Sequence, residues 1–160
     1  MQPRVRSIRA WRTIAAGLCL AMAALAPSAH AGLGGTFASV QADRAQFRAS
    51  MASAQTSAWS IHTLTLANHG VVREFARSDG TVFAVAWHGP GRPDLRQLLG
   101  ERFETFQSDN APPNGRRTRR PMGVSRDDFV AHSAGHSGAF WGFAYLPQIA
   151  PAGFSTNDLR

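Results

Sequence analysis

The sequence predicts an α+β fold. It reads as a two-layer domain with an antiparallel five-stranded sheet in the order βββ–α–ββ, one main helix packed on it and a weaker N-terminal helix. Three observations predict this. Residues 81–87 (TVFAVAW) are apolar at both parities, the pattern of a central strand covered on both sides. Two further apolar runs, 59–66 and 71–76, precede it, divided by the turn signals Ala67-Asn68-His69-Gly70 and Arg77-Ser78-Asp79-Gly80. Connections that short join antiparallel neighbours. After residue 87, His88-Gly89-Pro90-Gly91 stops the ladder, and Leu95, Leu98, Leu99, Phe103 and Phe106 recur at steps of three and four as one helical stripe.

The remaining elements follow in order. Residues 32–35 (GLGG) read as a flexible start, and 37–51 as a weak helix with Phe37, Val40, Phe47 and Met51 on one side and Arg44 interrupting the stripe. The Ser/Ala/Thr-rich stretch 49–58 reads as a solvated linker, so 32–58 is a helix with its linker and 59–160 is the α+β domain. Asp94 is placed to cap the main helix, where its carboxylate accepts from first-turn amides. Gly100 inside that helix costs roughly 1 kcal/mol relative to alanine, and suits close packing on a surface of small residues. Residues 108–126, with Pro112, Pro113, Asn114-Gly115 and an arginine run, lack periodicity and read as a disordered Arg-rich loop. A second hairpin, 127–134 and 138–146, turns at Gly135-His136. In its last strand Trp141, Phe143 and Tyr145 alternate with Gly142 and Ala144; these small residues, with Ala84 and Ala86, are expected to form the flat side that the helix covers. Ser155 is placed to cap a short final turn.

Residues 1–31 have the composition of an export signal. Arg4, Arg6, Arg9 and Arg12 precede an apolar stretch over 13–26, and Ala29-His30-Ala31 is a small-x-small cleavage site. The apolar stretch is short for a membrane span, and no arginine pair marks a twin-arginine route. A Sec-type signal cleaved after Ala31 implies a periplasmic or secreted protein with no transmembrane segment in its mature part. Removing the four leader arginines lowers the net charge from +7 to +3, with 13 Arg against 10 Asp and Glu. A nucleic-acid partner is therefore not expected. Cys19, the single cysteine, falls within the leader, so the mature chain has neither disulfide nor thiol nucleophile.

The run GTVFAVAWHGPGRPDLRQLLG, preceded by VVREF and followed by GHSGAFWGFAYLPQIAPAGFSTNDLR, resembles a family of uncharacterised exported proteobacterial proteins, domain of unknown function 2844. The AVAWHGP–PDL–LLG run and the YLPQ–PAG–S tail carry the resemblance. It implies a small exported protein and brings no catalytic residue or cofactor with it.

Several constellations are candidates for chemistry. Gly135-His136-Ser137-Gly138-Ala139 comes close to a G-x-S-x-G nucleophile elbow, but lacks the last glycine and leads into a strand where the motif needs a helix. His88, His132 and His136 are conceivable zinc ligands without a supporting HExxH or CxxC spacing. Together with Ser137 they define the alternative reading, a hydrolytic or metal-dependent envelope enzyme. Arg116, Arg117, Arg119 and Arg120 are candidate anion-binding residues, with no interleaved aromatics for stacking on bases. Trp87, Trp141, Phe143 and Tyr145 are expected to share one side of the sheet, covered by the leading helix or open as a groove for an apolar ligand. The leading reading is a non-enzymatic binding or accessory protein of the cell envelope. Its partner is an envelope protein or a small apolar ligand, with no catalytic residue, metal or cofactor.

Overall fold

A computed structural model describes residues 32–112 and 121–160. The sheet has seven antiparallel strands: β1 (Ser50–Gln55), β2 (Trp59–Thr65), β3 (Val71–Arg77), β4 (Val82–Gly89), β5 (Met122–Ser125), β6 (Val130–His136) and β7 (Ala139–Tyr145). Their spatial order is β1-β2-β3-β4-β7-β6-β5. Four strands meander to the centre, the chain then crosses to the far edge, and β5 to β7 meander back to β4. The five expected strands are all present, with β4 central and buried from Val82 to Trp87.

The two additional strands fall where loops were expected. Ser50–Gln55, taken as linker, is β1, paired along its whole length with β2. Backbone pairing with β2 holds it, because its Ser, Ala and Gln side chains have little β preference. Met122–Ser125, within the expected disordered loop, is β5. One buried side chain, Val124, fixes it to the core.

Helix α1 (Phe37–Gln46) and the pair α2 (Leu95–Leu99) and α3 (Phe103–Asp109) lie on one face of the sheet. Asp94 caps α2 as expected, its Oδ1 accepting from Arg96 N at 2.9 Å and Gln97 N at 3.3 Å. The main helix is not continuous. Gly100 takes φ +52, and a 3-10 turn over Gly100–Arg102 divides α2 from α3. The left-handed backbone is open to glycine without steric cost. Leu98, Leu99 and Phe106 from this pair join Val40 of α1 over Leu64, Val72, Val85 and Trp87.

The GLGG start is held in place. Leu33 N donates to Leu98 O at 2.8 Å, Gly34 N to Val82 O at 2.8 Å, and Val82 N to Gly35 O at 2.8 Å. A side chain at Gly32 would stand 2.2 Å from the Leu98 carbonyl oxygen, so glycine is what allows this approach. The opposite face carries a second cluster of Phe75, Phe83, Ala84 and Ala86, closed by Leu159 and Phe154 of the C-terminal tail. A bulge between Phe75 and Ala76 leaves Phe83 unpaired in the ladder. The tail ends in the expected cap: Ser155 Oγ accepts from Asn157 N, and the Asp158 carboxylate accepts from Ser155 N at 2.8 Å.

Candidate binding surfaces

The four aromatic candidates do not share a face. Register pairs Trp87 with Gly142, Ala86 with Phe143, and His88 with Trp141. Directly opposed residues lie on the same side of a sheet, so Trp87 is on the helix face and Trp141, Phe143 and Tyr145 are on the other. Trp87 is 2% exposed, and its ring fills the space where a Gly142 side chain would stand. By the same register Ala84 and Ala86 lie beneath Tyr145 and Phe143, away from the helices. The flat side under the helices is built from Val85, Trp87, Gly142 and Ala144 instead.

The leading helix does not cover the remaining aromatics; the tail covers part of them. The Phe154 ring meets Phe83 at 5.0 Å, Tyr145 at 5.6 Å and Trp59 at 6.0 Å between centroids. Arg73 Nη2 donates to Leu159 O at 2.6 Å and fastens the end of the chain. Beyond the tail, Trp141 is 49% exposed and lies 4.8 Å from the His132 ring, tilted by 34°, while Phe143 stacks with His132 at 6.0 Å. The result is an open strip of three rings.

The residues of the enzyme reading are dispersed. His88 pairs with Trp141 and His132 with Phe143, so aromatic rings stand between the two histidines. His136 and Ser137 belong to the tight hairpin between β6 and β7, where His136 Nδ1 donates to its neighbour's carbonyl at 3.0 Å. A hairpin replaces the strand-to-helix turn of a nucleophile elbow, with Gly135 at φ +124 and Gly138 at φ +91. Among the described residues no group of three or more His, Cys, Asp or Glu is placed to hold a metal ion.

Register does create one row unseen in the sequence. Ser53, His62 and Glu74 oppose one another across β1, β2 and β3, and Ser53 Oγ bonds His62 Nδ1 at 2.8 Å. The row resembles a nucleophile–base–acid series but has the wrong charge. Burial, then the neighbouring Asp43, push the Glu74 carboxyl up to about 9, so it is neutral at pH 7 and cannot stabilise an imidazolium. Burial also holds His62 below its ordinary value. Asp43 of α1, the acid beside Glu74, also has its pKa raised by burial, and its Oδ1 accepts from Gln97 Nε2 at 2.6 Å. That bond ties α1 to α2 directly above the buried Glu74 of the sheet. The sequence signal of Glu74 was an isolated acid inside the apolar run VVREFA.

Among the described residues, the helix face carries an open groove of about 1620 Å³ between α2–α3 and the β5–β6–β7 corner. Leu95, Phe103, Phe106, Met122 and Phe140 contribute its apolar lining. At the rim, Arg96 stacks over Phe103 at 4.5 Å and Arg92 over Phe140 at 5.4 Å. Ser133 lines it as well, 1% exposed, with its hydroxyl lacking any hydrogen-bond partner. A buried polar group is normally satisfied, so this hydroxyl, sealed behind the groove wall, is a local cost to stability. Nothing in the sequence marked Ser133, because its burial depends on β5 and α3 closing over it.

Arg116, Arg117, Arg119 and Arg120 lie outside the described residues, as do residues 1–31, where an export signal was expected. No helix among the described residues is long and apolar enough to cross a membrane. No curated protein and no solved structure matches the chain. A family model does, over residues 29–159, described as a protein of unknown function. The GPGRPDL turn that feeds the capped α2 and the YLPQ–PAG–S tail that straps the far face both lie inside that match, and the chain belongs to the DUF2844 family.

Proposed function

We propose that this chain is a binding or accessory module of the cell envelope, exported by cleavage after Ala31, and that it acts without catalysis of its own. The groove between α2–α3 and β6 is its binding site, and its apolar lining under a rim of Arg92 and Arg96 is the observation that carries this reading. The site suits an apolar or amphipathic ligand with one polar end to meet that rim, since apolar walls with few convergent polar groups are how proteins hold such molecules. The test is titration with an environment-sensitive apolar dye. Ser133→Ala removes an unsatisfied buried group and is expected to stabilise the free protein by roughly 1 kcal/mol. Phe103→Ala is expected to weaken dye binding at least tenfold, about 1.4 kcal/mol. Equal dye binding by wild type and Phe103→Ala would refute the groove.

The exposed strip of Trp141, His132 and Phe143 supports a second reading, an open stacking surface for a flat apolar partner. Loss of dye binding in Trp141→Ala, with Phe103→Ala unaffected, would favour that surface over the groove.

A further inference from the structure

The two outer strands of the sheet end differently. β5 is four residues long, and its middle is already occupied: Asn110 Oδ1 accepts from Gly123 N at 2.9 Å, and Asn110 Nδ2 donates to Gly123 O at 3.3 Å. Those are the bonds a further strand would make, supplied here by the residue that ends α3. β1, at the other edge, is six residues of Ser, Met, Ala, Ser, Ala and Gln with every side chain except Met51 exposed. It contains no charge, no proline and no bulge, the usual devices that blunt an edge. Its outward N–H and C=O groups carry no hydrogen bond among the described residues. Phe37, 45% exposed, stands over the same edge, 5.1 Å from the His62 ring that Ser53 of β1 holds.

We infer that β1 is a homodimer seam, in which the β1 strands of two copies pair antiparallel about a two-fold axis perpendicular to the sheet. Three features commit the edge to a second copy of itself. Asn110 blocks β5, so β1 cannot pair with β5 of the next molecule, and the contact closes at two instead of growing into a fibre. Antiparallel pairing sets the two Arg48 side chains at opposite ends of the seam, each beside the uncharged Gln55 and Thr56 of the other copy; parallel pairing would bring the two cations together. Ala52 and Ala54 then meet only small neighbours, which lets the backbones approach to hydrogen-bonding distance. Both α1 helices fall on the same side of the doubled sheet, with a Phe37 ring flanking the seam in each half.

Sedimentation equilibrium of the purified protein, from about 1 to about 200 µM, tests this. The expected mass rises to twice the chain mass. Ala52→Lys with Ala54→Lys places four ammonium groups on one side of the seam and is expected to give a monomer with an unchanged far-UV circular dichroism spectrum and a melting temperature that no longer depends on protein concentration. Asn110→Ala unblocks β5 and is expected to give species larger than a dimer. Hydrogen exchange needs no variant: amides over 50–55 should be slower at high than at low protein concentration. A wild type that stays monomeric across the range overturns the inference, and so does a folded double-lysine variant that remains a dimer. Recovery of β1 paired to a different protein, in place of a second copy, overturns it too.

Discussion

On the helix face the sheet meets α1, α2 and α3, and that contact holds two buried acids, an orphaned hydroxyl and an open groove. On the far face, among the described residues, it meets the C-terminal tail, through rings packed edge to face and two arginine bonds to tail carbonyls. The first interface is polar at its centre and leaves space; the second is apolar and nearly filled where the tail lies. Strength and vacancy are thus separated by the sheet. A fold that buries unsatisfied polar groups sacrifices stability at them, and here they all lie on the helix face or beside the tail's arginine anchor, apart from the Trp59 indole.

The largest expected effect comes from the buried acids. Folded Glu74 keeps its proton up to about pH 9, whereas in the unfolded chain it loses it near its ordinary value of 4.5. Between those values the folded state binds more protons, so stability falls as pH rises, by up to about 1.4 kcal/mol per pH unit. Glu74→Gln cannot ionise and nearly keeps the size of the side chain. It is expected to flatten most of the slope in urea-denaturation midpoints measured from pH 5 to 9, and an unchanged slope would place the titration elsewhere.

A smaller loss tests the tail. Phe154→Ala removes the ring between Trp59, Phe83 and Tyr145 and is expected to cost about 2–3 kcal/mol, read from thermal melts. If the tail merely lies on the surface, the change will stay below about 0.5 kcal/mol. Trp141→Ala, on the uncovered strip, is expected to fall within that smaller range.

How much of this was legible follows the same division. β2, β3, β4, β6 and β7 were readable because Val, Ile, Phe, Trp and Tyr are dense in most of them and turn residues separate them. β1 was not, since Ser50–Gln55 has no β-branched or aromatic residue and is a strand only through its pairing with β2. The caps at Asp94 and Ser155 were legible because capping is local. The common face proposed for Trp87 and Trp141 failed because each strand shows its own alternation, while the offset between two strands is set by register and appears in neither. The buried Glu74–Asp43 pair and Ser133 needed three-dimensional closure, which local spacing does not encode.

Native mass spectrometry of the protein taken gently from its own exported fraction tests the central claim, that the helix face is a binding site. The account predicts the cleaved chain beginning at Gly32 with an additional mass per chain that is lost on denaturation and diminished in Phe103→Ala. Bare chains at the cleaved mass, indistinguishable between wild type and Phe103→Ala, would contradict it.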